Sequence, residues 1–153
     1  MSNVFLATLG QRPEAITIAY DVLSDRISFE HIVIIHTDPQ RSGIASALSQ
    51  LRPVIERDYP YSPVRWYETR HTNGDAIVDI DTQASAHAYY LALYSLLREY
   101  RTAAFTLHLL VAGGRKAMSV YAALAAAISF GGRDRLWTLL SPPDVVEERG
   151  LFH

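Results

Sequence analysis

The segment FTLHLLVAGGRKAMSVYAALAAAISF, residues 105–130, contains the pattern that decides the fold. Its apolar run at 105–111 predicts a β-strand, and the glycine pair that follows predicts a tight turn. The alanine-rich stretch 117–130 predicts a helix that packs closely against a sheet, and Gly131 and Gly132 end it. A strand, a tight turn and a helix in this order are typical of a βαβ unit.

The same alternation runs through the rest of the chain. The clearest strand is HIVIIHT at 31–37, whose unbroken apolar centre indicates a strand covered on both faces. This alternation predicts an α/β protein with a Rossmann-like three-layer fold and a mostly parallel sheet of about five or six strands. The other predicted strands are 4–9, 64–68 and 136–140; the other predicted helices are 14–24, 38–57 with a kink or early end at Pro53, and one capped by Asp81 or Thr82 that runs to Arg101.

Length and composition narrow the class of protein. A chain of 153 residues predicts one domain over 1–153. The net charge of −2 argues against binding of long nucleic acid, whereas a small anion needs only a local positive patch. The absence of cysteine excludes disulfides, thiolate metal sites and a cysteine nucleophile, and it fits a reducing cytoplasm. No signal peptide is apparent, and the apolar stretch 117–130 falls short of the roughly 20 residues of a membrane span. We therefore expect a cytoplasmic protein without a membrane partner.

The turn after the fourth predicted strand contains Lys116, the only lysine of the chain. Gly113 and Gly114 would let a ligand approach the backbone, and the N–H groups that open the next helix favour an anion. Arg115 adds a planar fork of donors, Lys116 adds a mobile charge, and Ser119 offers a hydroxyl one turn further on. From spacing alone, a plain turn that needs its glycines, with two solvated cations beside it, explains the pattern equally well.

Two further loops leave predicted strands at the same edge of the sheet, where such folds bind ligands. The loop TLGQR at 8–12 offers hydrogen-bonding side chains and a cation, although as a bare pattern it is an ordinary loop. His36, Thr37 and Asp38 follow the second strand. A histidine beside an aspartate could form an acid–base pair, but such an aspartate more often caps a helix. We favour the structural interpretation while keeping His36 and Thr37 as candidates for ligand binding.

The chain shows no metal-binding motif. The histidines lack HxxxH and HExxH spacing, and Asp75, Asp79 and Asp81 lack the spacing of an EF-hand loop. His108 lies inside a predicted strand and is expected to be a hydrogen-bonded core histidine. We predict neither a metal site nor a cofactor.

Four segments together resemble a known family. They are VFLATLGQRPEAIT at 4–17, IVIIHTDP at 32–39, LLVAGGRKAMSVYAALA at 109–125 and DRLWTLLSPPD at 134–144. In this order they resemble the CRISPR-associated Rossmann fold (CARF) family, specifically the group typified by NE0113-type CRISPR-associated proteins. The Gly-Gly-Arg-Lys turn followed by Met-Ser is the most specific of these features.

The resemblance implies a homodimer that binds a cyclic oligoadenylate, the second messenger of type III CRISPR systems, across its two-fold axis. Cyclic tetra-adenylate is the favoured ring. Relatives often carry a small hydroxyl residue just after the first-strand glycine, where this chain has Gln11, so Thr8 could take that role. By position, the ligand would be lined by Thr8, Leu9, Gly10 and Gln11 with Arg12 nearby, and its phosphates would be held by Gly113, Gly114, Arg115 and Lys116.

If the domain stands alone, the resemblance favours a metal-independent ring nuclease. A ribose 2′-OH would attack the adjacent phosphate and leave a 2′,3′-cyclic phosphate. Lys116 and Arg115 would stabilise the developing charge, and Thr8 or Gln11 would position the substrate. His36 is a reserve candidate for proton transfer.

Two other functions remain open at this stage. The lack of an evident general base favours a non-catalytic sensor or sponge that holds the ring without cutting it, as a domain of a CRISPR effector would. A Rossmann-like enzyme acting on a mononucleotide or nucleoside is the third interpretation, and it predicts no preference for cyclic oligomers.

Overall fold

Parallel strands alternate with helices along the chain in the computed structural model, which describes residues 2–111 and 116–139. The sheet has five strands in the order β3-β2-β1-β4-β5, and every neighbouring pair is parallel. This confirms the predicted α/β class and the Rossmann-like three-layer fold. The elements are β1 (Asn3–Thr8), α1 (Glu14–Ser24), β2 (Phe29–His36), α2 (Ala45–Asp58), β3 (Val64–Glu68), α3 (Gln83–Thr102), β4 (Thr106–Leu110), α4 (Lys116–Ser129) and β5 (Arg135–Trp137).

Each face of the sheet has its own apolar core. Successive residues of β1 point to opposite faces, so Leu6 packs with α3 and α4 while Phe5 packs with α1 and α2. β2 follows the same rule, with Val33 on the α3 side and Ile34 on the α1 side. The central strands β1 and β2 are apolar at consecutive positions because helices cover both of their faces.

Several predicted elements are confirmed. α1 and β3 have the predicted bounds, and α3 begins after Thr82, whose hydroxyl accepts a hydrogen bond from the N–H of Ser85 at 3.0 Å. The Ser85 hydroxyl in turn accepts from the N–H of Thr82, so the two residues form a capping box. β5 covers Arg135–Trp137 rather than 136–140, and Leu140 lies outside the described residues.

The predicted start of the second helix was wrong. α2 begins at Ala45 instead of Asp38, because Gly43 adopts a positive φ of 84° that an α-helix does not tolerate. Asp38 caps a separate turn: its carboxylate accepts the N–H groups of Gln40 and Arg41 at 3.1 and 2.9 Å. Pro53 does not shorten the helix, which runs on to Asp58 with Pro53 on its exposed side.

None of the described helices combines the length and the apolar character that a bilayer crossing would need.

Candidate functional site

The carboxyl ends of β1 and β4 lie side by side, and the chain leaves them towards opposite faces of the sheet. Ala7 of β1 is in register with Ile34 on one side and Leu110 on the other. α1 follows β1 and packs on one face, whereas α4 follows β4 and packs on the other. In open parallel sheets such a reversal leaves a crevice beyond the strands, where ligands bind. We call the region between the loop after β1 and the start of α4 the switch-point crevice.

Thr8 ends β1 at this crevice. It is 1% exposed, and its hydroxyl donates a hydrogen bond to the carbonyl oxygen of Leu110 at 3.4 Å. This contact joins the carboxyl ends of the two central strands. It gives Thr8 a structural function, while its predicted catalytic role stays a prediction.

Leu9 and Gly10 continue from β1 into the interior. The N–H of Leu9 donates to the carbonyl oxygen of Ile35 at 2.8 Å, and both Leu9 and Gly10 are buried. The Leu9 contact extends the β1–β2 pairing one residue beyond the strand. If Leu9 and Gly10 contact a ligand, we therefore expect the contacts to come chiefly from their backbone atoms.

Gln11 and Arg12 are the exposed part of the same loop. The Gln11 side-chain amide donates to the carbonyl oxygen of Gly43 at 3.2 Å, which ties the loop to the turn before α2. The Arg12 guanidinium lies 3.5 Å from a carboxylate oxygen of Glu14. Glu14 offsets part of the Arg12 charge, so Arg12 is a weaker anion site than the sequence suggests.

Lys116 is the first residue of α4 and is exposed beside the crevice. It forms no ion pair with any residue in the described part of the chain. Ser119 lies one turn further along α4 and is half-buried. Gly113, Gly114 and Arg115 lie outside the described residues. An ammonium group at a helix start adds to the positive end of the helix dipole, so this position suits an anion.

His36 and Thr37 are buried at the end of β2. The His36 Nδ1 lies 2.8 Å from the carbonyl oxygen of Thr37; because a carbonyl only accepts, Nδ1 carries the proton in this contact. The Thr37 hydroxyl is buried and has no hydrogen-bond partner among the described residues. The Asp38 carboxylate caps the turn that follows it, and the hydrogen bond from the N–H of Arg41 is the main cause that lowers the pKa of this carboxyl. The preference for a structural role over an acid–base pair is therefore supported.

A short hairpin covers the carboxyl ends of β2 and β3, a feature that the sequence reasoning missed. The N–H of Ile77 donates to the carbonyl oxygen of Thr69 at 3.2 Å, and Arg70 pairs with Ala76 in an antiparallel bridge. The N–H of Asp38 donates to the carbonyl oxygen of Ile77 at 2.9 Å, which joins the hairpin to the end of β2. The Asn-Gly dipeptide at 73–74 was the available signal for this turn. Since β2 neighbours β1 in the sheet, the hairpin lies on the β2–β3 side of the strand ends, and the switch-point crevice lies at β1 and β4.

A polar depression of about 500 Å³ lies between the hairpin and the turn at Asp38. Both arginines that line it are paired: the Arg41 guanidinium contacts Asp38 at 3.1 Å, and that of Arg70 contacts Glu68 at 2.6 Å, while Asp75 adds a further carboxylate. Paired charges of opposite sign give no preference for an anion. Across residues 2–111 and 116–139, no three His, Cys, Asp or Glu side chains form a group that could hold a metal ion.

Sequence comparison assigns the chain to a family. No curated protein matches it. A family model described as CRISPR-associated protein NE0113 (Cas_NE0113) matches residues 12–153. The match begins at Arg12 and includes every element from α1 to β5, whereas β1 and the loop up to Gln11 precede it. Because the match covers most of the 153 residues, the chain belongs to the CRISPR-associated protein NE0113 family.

Proposed function

We propose that this protein binds a cyclic oligoadenylate across the two-fold axis of a homodimer and cleaves the ring without a metal ion. The observation that carries the proposal is Lys116, an exposed cation at the start of α4 beside the crevice between β1 and β4. Membership of a CRISPR-associated family supports a ligand from that defence system. Cyclic tetra-adenylate is the ring that we favour.

The symmetry of the ligand favours a dimer. A cyclic oligonucleotide repeats its phosphates by rotation, and a two-fold dimer repeats each Lys116 in the same way. Two helix starts and two ammonium groups would then face one ring. The net charge of −2 is compatible with this, because the ligand meets a local patch rather than the whole surface.

The outer side of α4 offers a surface for the second copy. Val120, Leu124 and Ile128 follow one another at every fourth position and are 61%, 46% and 59% exposed. After Lys116 the helix contains no charged side chain. A continuous exposed apolar row on a helix is characteristic of an interface. A two-fold axis beside α4 would bring both Lys116 residues to the same edge of the dimer.

The proposed reaction is an internal transesterification. The ribose 2′-oxygen forms a bond to the adjacent phosphorus while the bond to the 5′-oxygen breaks, which leaves a 2′,3′-cyclic phosphate and a 5′-hydroxyl. The proton of the 2′-hydroxyl is released, and the 5′-oxygen takes up one. Lys116, together with Arg115, would stabilise the negative charge on the phosphate oxygens. Gln11 or Thr8 would hold the ring in line for the attack.

One observation favours a non-catalytic sensor as the second candidate. His36, the reserve residue for proton transfer, is 6% exposed, and its Nδ1 is engaged by the carbonyl oxygen of Thr37. A buried ring with this contact is poorly placed to exchange a proton with a bound ribose. Such a protein would hold the ring and release it intact.

Incubation with labelled cyclic tetra-adenylate and cyclic hexa-adenylate in EDTA tests the proposal. Chromatography should reveal linear products with cyclic phosphate ends. Recovery of the intact ring from a tight complex would establish the sensor instead. Failure to bind either ring would contradict both candidates.

Lys116→Ala should reduce cleavage at least about 100-fold, because the transition-state charge loses its cation. Single-turnover rates with enzyme in excess would measure this loss apart from product release. Arg98→Ala is the matched control: Arg98 is an exposed cation on α3, and its guanidinium contacts the Tyr94 hydroxyl at 3.3 Å. Wild-type cleavage by Lys116→Ala would remove Lys116 from the mechanism.

A further inference from the structure

We propose a second anion site, separate from the switch-point crevice, that binds a small organic phosphate monoester with an aromatic part. It is a cleft of about 570 Å³ near the amino ends of the central strands, which we call the amino-edge cleft. It lies over β4 and β5, on the face of the sheet that α1 covers, beside the carboxyl end of α1. Its lining includes Asn3, Arg26, His108, Arg135 and Trp137.

The cleft is lined by guanidinium groups and by no carboxylate in the described part of the chain. Arg26 and Arg135 are exposed, and neither forms an ion pair with a described residue. Arg135 is nevertheless held in place: its Nη1 donates to the carbonyl oxygens of Gly132 and Asp134 at 2.8 and 2.9 Å. Neutral carbonyls orient the guanidinium without cancelling its charge, which leaves its remaining donors for an anion.

The carboxylate of Asp134, which neighbours Arg135 in the sequence, accepts hydrogen bonds from three groups outside the cleft lining. Its Oδ2 accepts from the Arg101 guanidinium at 2.6 Å and from the N–H of Gly131 at 2.8 Å, and its Oδ1 accepts from the N–H of Leu107 at 2.8 Å. Arg101 therefore offsets the charge of Asp134. Asp134 forms no ion pair with Arg26 or Arg135.

An ordered aromatic pair forms one wall of the cleft. The Trp137 indole N–H donates to Nδ1 of His108 at 3.1 Å, and the two rings are nearly parallel with centroids 6.3 Å apart. Because an indole nitrogen only donates, Nδ1 accepts and Nε2 carries the proton, 3.3 Å from Oδ1 of Asn3. The pair is thus held in one orientation by hydrogen bonds at both ends.

The size and the lining together select the ligand. Pockets of about 300–1,000 Å³ accommodate small organic molecules, so the cleft is larger than a bare phosphate requires. Guanidinium forks recognise phosphate oxygens in pairs, and an aromatic wall contacts the flat part of a nucleoside. A nucleoside 5′-monophosphate combines both groups and is a suitable probe.

The indole N–H of Trp137 reports on the site directly. The chain has two tryptophans, so ¹⁵N-labelled protein gives two side-chain indole signals, which Trp66→Phe assigns. Titration with adenosine 5′-monophosphate should move the Trp137 signal saturably and leave that of Trp66, on β3, in place. Adenosine without its phosphate should produce no comparable shift. Equal shifts with adenosine, or no Trp137 shift at millimolar nucleotide, would overturn the proposal.

Charge variants give the second arm of the test. Arg26→Gln and Arg135→Gln combined should weaken binding at least about 10-fold, and Arg26→Gln alone should weaken it measurably, since Arg26 is exposed and its removal is compatible with folding. Arg98→Gln, which removes an exposed arginine of α3, should bind as the unmodified chain does. Unchanged affinity in the double variant would show that the guanidinium groups do not recognise the phosphate. This test does not depend on whether the protein binds or cleaves a cyclic oligoadenylate.

Discussion

Asp134 is the side chain that holds together the segment between α4 and β5. It accepts hydrogen bonds from the guanidinium of Arg101 on α3, the N–H of Leu107 on β4 and the N–H of Gly131. Its side chain is 5% exposed. One carboxylate thus joins a helix, a strand and a turn, and such charge-assisted bonds are stronger than neutral ones.

Asp134→Ala should lower the free energy of unfolding by about 2 kcal/mol, because three donors lose their acceptor at once. Asp58→Ala is the matched control: the Arg57–Asp58 pair is exposed on the surface, and its loss should have little effect. Urea denaturation of both variants measures the difference. Equal destabilisation would show that the Asp134 contacts carry no special weight.

His108 confirms the prediction of a hydrogen-bonded core histidine. It is 5% exposed, between Trp137 and Asn3, and burial is the main cause that lowers its pKa from the ordinary value. Protonation of Nδ1 would also remove the acceptor of the Trp137 indole N–H. The neutral form is therefore the one that the fold stabilises.

The stability should fall as the pH drops below about 6.5, the ordinary pKa of histidine. Between about pH 6.5 and the lower pKa of folded His108, the unfolded chain binds more protons than the folded chain does, so acid favours unfolding. Above about pH 6.5, His108 adds no pH dependence to the free energy of unfolding. Denaturation at pH 7.5 and at pH 5 measures the change. His108→Gln should flatten this part of the profile, and His87→Gln, at an exposed position of α3, should leave it intact. An unchanged profile in His108→Gln would contradict the assignment.

At the scale of elements, local signals decided where most helices and strands lie. Thr82 and Ser85 form their capping box with neighbours in the sequence, so the start of α3 could be predicted. The start of α2 could not, because an aspartate followed by proline caps a turn as readily as a helix. The outcome depends on Gly43, whose positive φ separates the Asp38 turn from α2.

Pro53 lies in the interior of α2, where its ring cannot donate a backbone hydrogen bond to the carbonyl of Ser49. The helix continues because Leu51 and Ile55 on its inner side are buried against the sheet. Pro53→Ala should raise the free energy of unfolding by about 1–3 kcal/mol, since the exposed position has room for alanine and regains the donor. Thermal and urea denaturation would reveal the gain. A loss of stability would mean that proline is needed at this position.

At the scale of the whole molecule, the strand order creates the candidate site. β1 and β4 are about a hundred residues apart in the chain yet adjacent in the sheet, in register from Asn3↔Thr106 to Ala7↔Leu110. Their neighbouring ends bring the loop of Gln11 and the start of α4 to one crevice. The amino-edge cleft lies at the opposite ends of the same strands.

The proposed dimer depends on the apolar row of α4. Leu124→Glu should convert a dimer into a monomer, because a desolvated carboxylate without a partner opposes association. Light scattering after size-exclusion chromatography measures the mass, and ring binding should fall with it. Val22→Glu, at an exposed apolar position of α1, is the control and should leave the mass unchanged. A monomeric unmodified chain would contradict the dimer itself.

The apolar periodicity of the sequence and its turn residues determined the α/β class and the alternation of strands and helices, and they predicted which loops form the candidate site. These signals are local: apolar runs mark strands covered on both faces, and a cap or a glycine acts within one turn. Only the tertiary structure decided that the Thr8 hydroxyl bonds to the carbonyl of Leu110 and that a hairpin covers the end of β2. It also brought Arg26 and Arg135 to one cleft. These contacts join residues whose proximity depends on sheet order and packing, which no local pattern specifies.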